Sequence, residues 1–248
     1  MNNNFKDYYS KQAEEYSKYR PTYPEELFEY LLSIVSGHDL AVDCATGNGQ
    51  AARGLSKYFQ KVIALDASES QINNACTFSN VSYKVAKAEE TGLDDNTADL
   101  VTIATAIHWI NTDLFYKEAR RILKDDGVIA VWTYSTKCEI NPAIDNIVNT
   151  FSDRVLNGHW DSGIKKVWSF EEIDFPFIEI PSPFFEIKRE WSLEEFLNYI
   201  FTWSSTQKYI DTNNSNPVDL LREEIKEVWN KNDKKEIIWK IKMKAAKI

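Results

Sequence analysis

Residues 40–52 of the chain read LAVDCATGNGQAA, and this stretch decides the fold. An apolar run ends near Asp43, glycines follow at Gly47 and Gly49, and residues suited to a helix begin at Gln50. Glycine lets the backbone turn sharply and approach a ligand closely, and the first turn of a helix offers N–H groups without partners in the helix. The stretch therefore predicts a strand, a ligand-binding turn and a helix.

Strand and helix signals alternate around this turn. Apolar runs predict five strands, over Leu40–Ala45, Val62–Asp66, Val81–Val85, Leu100–Ala104 and Val128–Thr133. Helical patterns occupy Phe5–Lys18, Glu25–Val35, Gln50–Tyr58, Ser68–Thr77 and Thr112–Leu123. Apolar strands separated by helices are typical of a parallel sheet covered on both faces. We therefore predict an α/β, doubly wound, mainly parallel, Rossmann-like sheet of seven strands with an antiparallel final strand.

The regular alternation of strand and helix patterns ends after Tyr134. We predict a helix over Asn141–Leu156, a strand over Phe184–Trp191, a helix from Ser192 to about Trp203, another over Val218–Trp229, and a final strand over Glu236–Ala246. Residues 124–127 are predicted to form a turn before the fifth strand. The organisation expected is a single domain over 1–248, with N-terminal helices at 1–36, a ligand-binding core at 37–134, a helical and aromatic lid insertion at 135–183 over the carboxyl edge of the sheet, and sheet completion at 184–248.

The composition limits the kinds of molecule that the protein is expected to bind. The formal net charge is −9, which disfavours binding to nucleic acid, because that binding needs lysine and arginine to neutralise phosphates. The three cysteines have no metal-ligand spacing, so no metal site is expected. A membrane-spanning apolar segment is not evident in the sequence. We expect a soluble, cytoplasmic monomer or homodimer that acts on a small molecule.

The glycine loop fits two classes of cofactor. Gly47, Gly49 and Ala52, with Asp66 downstream, satisfy the dinucleotide fingerprint of nicotinamide enzymes. Asp43 favours another class, because a carboxylate just before the loop repels a pyrophosphate and suits the ammonium group of a methionine moiety. About 40 residues precede the first strand, whereas dinucleotide enzymes usually begin near it. A nicotinamide-dependent oxidoreductase and a cofactor-binding protein without turnover remain the alternatives.

The chain resembles the class I S-adenosylmethionine-dependent methyltransferases, and within them the trans-aconitate and juvenile-hormone-acid methyltransferase group. The resemblance is carried by seven segments: 16–24 (YSKYRPTYP), 43–50 (DCATGNGQ), 65–68 (LDAS), 88–89 (AE), 106–109 (AIHW), 175–177 (FPF) and 202–204 (TWS) with Tyr209. It implies a methyltransferase that uses S-adenosyl-L-methionine and releases S-adenosyl-L-homocysteine.

The resemblance also implies roles for individual residues. Asp43 and the loop hold the methionine portion, Asp66 the ribose, and Thr105 with Ala106 the sulfonium region. The full set of implied cofactor-binding residues is Tyr19, Arg20, Asp43, Ala45, Thr46, Gly47, Gly49, Gln50, Asp66, Ala67, Ala88, Glu89, Thr105 and Ala106. Ala45 departs from the usual pattern by replacing the first glycine of the loop. Lys87 also departs, since many of these enzymes have an acid there that contacts the adenine amino group.

Several of these residues have structural alternatives. Asp43 could cap the turn that follows it, and Asp66 could cap the next helix, since aspartate is a favoured cap. Arg20 could pair with Glu25 or Glu26 instead of closing, with Tyr19, over the cofactor carboxylate.

The acceptor end is predicted from His108 and Trp109, which follow the fourth strand. His108 is the candidate general base, with a structural hydrogen bond as its alternative. Trp109, Trp203 and Tyr209 complete the predicted substrate pocket with His108. Further aromatic residues, Trp160, Trp168, Phe175 and Phe177, could wall a lid or simply pack it. The acceptor atom expected is an oxygen, of a carboxylate or a hydroxyl.

Overall fold

The computed structural model describes residues 19–161, 164, 169–230 and 232–248. The helix predicted over Phe5–Lys18 and the side chain of Trp168 lie outside the described residues. The chain divides into two compact units. The loop unit comprises residues 22–134, 165–185 and 240–248, and the aromatic unit comprises residues 1–21, 135–164 and 186–239.

Seven strands form one sheet. Their bounds are β1 Leu40–Cys44, β2 Lys61–Asp66, β3 Val81–Val85, β4 Ala98–Ala104, β5 Leu123–Tyr134, β6 Phe185–Trp191 and β7 Lys235–Lys247. The strand order is β3-β2-β1-β4-β5-β7-β6. The pairs among β1 to β5 are parallel, and β7 is antiparallel to β5. The predicted class and the antiparallel final strand are therefore confirmed.

Eight α-helices have assigned bounds in the described residues. They are α1 Glu25–Ile34, α2 Gln50–Leu55, α3 Glu69–Asn73, α4 Thr112–Ile122, α5 Pro142–Thr150, α6 Leu193–Phe201, α7 Ser204–Asn213 and α8 Val218–Ile225. The helix predicted over Asn141–Leu156 is α5 followed by a π-helical turn over Phe151–Val155. The capping box at the start of α6 is confirmed, because Ser192 and Glu195 bond each other's backbone N–H groups. None of the described helices is both long enough and apolar enough to cross a bilayer.

One local prediction is wrong, and one helix was not predicted. Residues 124–127 belong to β5 and are not a separate turn, because Leu123 already pairs with Ala98 before the register shifts to pair Val128 with Leu100. The shift places the four residues in an irregular part of the strand, which a composition rich in Lys, Asp and Gly does not distinguish from a turn. Residues 204–212, which received no prediction, form most of α7.

The strand order places the glycine loop at a crevice. β1 lies between β2 and β4, so the chain leaves β1 toward one side of the sheet and returns on the other side to β4. In doubly wound sheets the ligand crevice lies at this switch point, outside the carboxyl ends of the strands. Residues 45–49 follow β1 there, next to the end of β2 at Asp66 and the end of β4 at Ala104.

Candidate functional site

The loop after β1 holds three residues in the left-handed backbone region. The φ angle is +53° at Ala45, +59° at Gly47 and +88° at Gly49. Residues with a side chain rarely adopt this conformation, since Cβ then crowds the carbonyl oxygen. Glycine, the usual residue at this position, adopts a positive φ without strain. Ala45 is therefore strained in this chain.

The two glycines face different surroundings. A Cβ at Gly49 would lie 2.3 Å from the Tyr83 hydroxyl oxygen, so this glycine makes room for a side chain of β3. A Cβ at Gly47 would meet, among the described residues, the Gln71 Oε1 atom at 3.8 Å and no other atom within 4 Å. Open space above Gly47 is what a loop needs where a ligand approaches the backbone closely.

Asp43 is completely buried at the end of β1. Its carboxylate accepts hydrogen bonds from Thr46 Oγ1 at 2.5 Å and Thr102 Oγ1 at 2.8 Å. The backbone N–H of Ala52 also donates to it. Burial raises the pKa of this carboxyl to about 6, although the hydrogen bonds oppose the shift. The structure thus places Asp43 behind the loop, where it ties the loop to β4 and to α2.

Asp66 connects the end of β2 to the same loop. Its Oδ2 atom accepts the Gly47 N–H at 2.8 Å, and its Oδ1 atom accepts the Ser68 N–H at 2.8 Å. Ser68 is the N-cap of α3 and accepts the Gln71 N–H. The carboxylate itself therefore bonds the backbone before α3, while Ser68 caps the helix.

The carboxyl end of β4 carries a second strained residue. Thr105 has φ +56°, which is unusual for a β-branched residue. Its N–H donates to the Trp132 carbonyl at 2.7 Å, and its hydroxyl shares a 2.9 Å hydrogen bond with the Tyr23 hydroxyl. The Tyr23 ring lies edge-on to Trp132 and Tyr134, with centroids 5.5 and 6.3 Å apart. Backbone strain of this kind is concentrated at functional sites.

His108 and Trp109 form a short 3₁₀ turn over Ile107–Trp109, immediately after the buried Ala106. Their rings lie 4.7 Å apart. Trp109 is 41% exposed, which is high for the largest apolar side chain. The turn therefore presents an imidazole and an indole together at the carboxyl end of the sheet.

The remaining predicted cofactor residues of the loop unit lie nearby in the fold. Thr46 is buried and donates its N–H to the Leu65 carbonyl, and Gln50 is the first residue of α2. Ala67 is exposed after β2, and Ala88 is buried. The Glu89 Oε1 atom accepts the N–H of Asn111, the N-cap of α4.

The other four predicted residues, Tyr19, Arg20, Trp203 and Tyr209, lie in the aromatic unit. Arg20 donates from Nη2 to the Thr202 carbonyl at 3.0 Å, and its guanidinium lies 5.6 Å from the centre of the Tyr199 ring. Glu25, one of the alternative partners proposed for Arg20, bonds Lys57 and Tyr58. Trp203 is buried, and the half-buried Tyr209 packs on His159.

Three residues of the site were missed by the sequence analysis: Tyr23, Tyr83 and Thr102. Tyr23 stands in the segment 16–24, but only Tyr19 and Arg20 of that segment were predicted to have a role. Thr102 and Tyr83 carry no local signal, because their roles depend on strand register. Asp43 is aligned with Thr102 across β1 and β4, and Tyr83 with Ala64 across β2 and β3.

Comparison with known proteins decides which cofactor class the loop serves. Residues 42–131 match a family model described as a methyltransferase domain. A Dictyostelium discoideum protein described as a methyltransferase is 31% identical over 245 residues, which cover 92% of this chain and 89% of the relative. The chain belongs to the class I S-adenosylmethionine-dependent methyltransferases. Its cofactor is therefore S-adenosylmethionine, and the methyltransferase releases S-adenosylhomocysteine.

Two further relatives agree with this membership. A solved structure, described as a type II methyltransferase from Anaeromyxobacter dehalogenans, superposes with a TM-score of 0.85 at 31% identity, covering 92% of this methyltransferase and 97% of that chain. The protein CRG1 of Saccharomyces cerevisiae, described as an S-adenosylmethionine-dependent methyltransferase, is 28% identical over 54% of this chain and 47% of its own length. The nicotinamide oxidoreductase alternative is set aside.

The residues of the loop unit fit this cofactor. The open space over Gly47 admits a ligand close to the backbone, and Asp66 places a carboxylate at the end of the neighbouring strand. When bound, the cofactor supplies a methyl carbon activated by a positively charged sulfur. The protein's own task is then to align the acceptor with that carbon and to exclude water.

Proposed function

We propose that this methyltransferase moves the methyl group of S-adenosylmethionine to an oxygen atom of a small molecule, a carboxylate or a hydroxyl. The observation that carries the proposal is the hydroxyl pair of Tyr23 and Thr105, which lies at the end of β4 beside two aromatic rings. Neutral hydroxyls can orient an acceptor oxygen by hydrogen bonding, and aromatic walls suit a planar or apolar molecule.

The charge of the chain supports a small acceptor over a nucleic acid. The formal net charge of −9 works against contact with a phosphate backbone. Within the loop unit, two cations near the sheet are already engaged, because Lys124 pairs with Asp99 and Arg121 pairs with Glu118. These pairs leave neither side chain available for a polyanionic substrate.

The roles proposed for the cofactor residues are those that the resemblance implies. Asp66 hydrogen-bonds the ribose. Asp43 provides negative charge beneath the loop for the ammonium group, and it positions the loop through Thr46. Ala67 with Ala88 and Glu89 flank the adenine. The roles that the resemblance implies for Tyr19 and Arg20 stay predictions.

The need for a base depends on the acceptor. A carboxylate is already a nucleophile, whereas a hydroxyl must lose a proton as the new C–O bond forms. His108 is the proposed base for a hydroxyl acceptor, and Trp109 the pocket wall, because the two rings share the turn after β4. Small carboxylic acids are the acceptors of the trans-aconitate and juvenile-hormone-acid group. Such an acceptor would need no proton transfer to His108.

The test is to incubate the protein with methyl-labelled S-adenosylmethionine and a fractionated metabolite extract. The expected result is a labelled small molecule that mass spectrometry identifies as a methyl ester or a methyl ether. Mild alkaline hydrolysis separates the two, because it releases the label from esters as methanol. A Gly47→Val variant serves as the control without cofactor binding. Label found on nitrogen, or in acid-insoluble nucleic acid, would overturn the proposal.

A further inference from the structure

The first turn of α7 is buried and lacks a capping side chain. The helix begins at Ser204, and its N-cap residue, Trp203, forms no side-chain capping hydrogen bond. Ser204, Ser205 and Thr206 are all buried. The first N–H groups of a helix have no acceptor within the helix, so a buried N-terminus requires acceptors from elsewhere.

Two buried side-chain donors belong to the same turn. Trp203 Nε1 and Ser205 Oγ have no hydrogen-bond partner among the described residues. Their side chains are 2% and 0% exposed, so water on the surface does not satisfy them. Thr206 differs, since its hydroxyl donates to the Ile200 carbonyl at 2.9 Å. Because an indole N–H can only donate, the missing partner must offer an acceptor atom.

The charges near this turn indicate the charge of the missing acceptor group. Arg20 donates to the carbonyl of Thr202, the residue just before Trp203, at 3.0 Å. The N-terminus of a helix also carries partial positive charge. The carboxylate of Asp161 is paired with Lys208, one turn farther along α7. A guanidinium, a helix N-terminus and two donors together favour a negatively charged group with oxygen acceptors.

Aromatic rings surround the same position. The Trp203 ring lies 5.6 Å from Trp160 and 5.8 Å, edge-on, from Tyr199. Rings at these separations pack against the Trp203 indole and make its surroundings largely apolar. The partner that fits therefore joins an anionic oxygen group to an apolar or aromatic body.

We propose that the first turn of α7 binds the oxyanion group, carboxylate or phosphate, of an aromatic or apolar molecule. The inference is independent of the proposed function, because its residues all belong to the aromatic unit. The oxyanion site itself is defined by Trp203 Nε1, Ser205 Oγ and the N–H groups of Ser204, Ser205 and Thr206, with Arg20 as the neighbouring charge.

The first test is nuclear magnetic resonance of the indole N–H groups in ¹⁵N-labelled protein. The Trp203 signal is assigned by its loss in a Trp203→Phe variant. The protein is titrated with sodium phenylacetate, with inorganic phosphate and with neutral phenylacetamide. The expected result is a saturable shift of the Trp203 signal with at least one anion and none with phenylacetamide. A stronger response to phenylacetate identifies a carboxylate site, and a stronger response to phosphate identifies a phosphate site.

The second test uses Ser205→Ala, which removes one donor and keeps the helix. We expect about tenfold weaker binding of the anion that responds in the titration, which is a change of about 1.4 kcal/mol. The unfolding temperature should stay the same or rise, because a buried hydroxyl without a partner is lost. Thr212→Ala, in the last turn of α7, is the matched control and should leave anion binding unchanged.

The outcomes separate this inference from the proposed function. No saturable shift with either anion, or an equal shift with phenylacetamide, overturns the oxyanion site whatever the enzyme methylates. A lower unfolding temperature in Ser205→Ala with unchanged anion affinity overturns it as well. Anion binding at Trp203 without any methyl transfer to oxygen leaves the site standing and overturns the proposed function. S-adenosylhomocysteine affinity should be unchanged in Ser205→Ala.

Discussion

The carboxylate of Asp66 accepts the backbone N–H of Gly47 at 2.8 Å, so the end of β2 fixes the loop that follows β1. The same carboxylate accepts the Ser68 N–H through its other oxygen. One side chain thus sets the position of both walls of the crevice at the switch point of the sheet.

Replacing Asp66 with alanine should weaken the binding of S-adenosylhomocysteine by about 1–3 kcal/mol, roughly 5- to 150-fold in Kd. The change removes the proposed ribose acceptor and frees the Gly47 N–H. Isothermal titration calorimetry measures the affinity. Asp126→Ala alters an exposed carboxylate of β5 and serves as the control, with no expected effect. An unchanged Kd in Asp66→Ala would remove the ribose assignment.

Alanine at the two loop glycines should have different consequences. Both substitutions force a side chain into the left-handed region, at a cost of about 1 kcal/mol in unfolding free energy. Gly49→Ala should lose more stability than Gly47→Ala, because its Cβ also collides with Tyr83. Gly47→Ala should show the greater loss of S-adenosylhomocysteine affinity relative to its loss of stability. Urea unfolding and calorimetry on the same samples provide both numbers.

A double variant checks the collision at Gly49. In a Tyr83→Phe background, which lacks the hydroxyl oxygen at 2.3 Å, Gly49→Ala should cost less stability than in the wild-type protein. Equal costs in the two backgrounds would show that the backbone angle alone accounts for the loss.

Glycine at position 45 should stabilise the protein. Ala45 has φ +53°, and relief of this strain is expected to raise the unfolding free energy by up to about 1 kcal/mol, offset in part by the greater freedom of glycine in the unfolded chain. Ala143→Gly, on an exposed right-handed turn of α5, should instead lower stability by about 0.5–1 kcal/mol. A loss of similar size at both positions would contradict the strain at Ala45.

The buried Asp43 should make stability depend on pH. Burial raises its pKa from 3.8 to about 6, so the folded protein holds this proton more tightly than the unfolded chain. Its contribution to stability is therefore complete below about pH 4 and is lost as pH rises through about 6. Asp43→Asn removes the titration, so the variant should gain up to about 3 kcal/mol relative to wild type between pH 4 and pH 7.

Urea unfolding at several pH values measures this difference. Any constant offset between Asp43→Asn and wild type reports changed hydrogen bonds to Thr46 and Thr102, and the slope with pH reports the titration. Asp126→Asn, on an exposed part of β5, should give a flat difference. A flat difference for Asp43→Asn too would mean that its carboxyl titrates normally in the folded protein.

The sequence was sufficient to predict those secondary-structure elements that have strong local patterns. β1 and the loop were predicted because an apolar run, two glycines and a helix start follow one another within residues 40–52. The start of α6 was predicted because Ser192 and Glu195 stand at capping-box spacing. α7 was missed because Ser204, Ser205 and Thr206 are weak helix formers, and burial within the aromatic unit determines its structure.

The partners within the site could not be predicted from local patterns. Thr102 meets Asp43 because β1 and β4 are aligned in one register, 59 positions apart in the chain. Tyr23 meets Thr105 through a contact that spans 82 positions. A predicted turn at residues 124–127 proved to be part of β5 for the same reason, since only the pairing of Leu123 with Ala98 shows where that strand begins.

The most direct test of the cofactor site is a crystal structure of the protein with S-adenosylhomocysteine. We predict that the ribose hydroxyls lie within hydrogen-bonding distance of the Asp66 carboxylate, and that the amino-acid end lies over Gly47 at the end of β1. Density for the nucleoside elsewhere on the protein, with the space above Gly47 filled by water, would contradict this prediction.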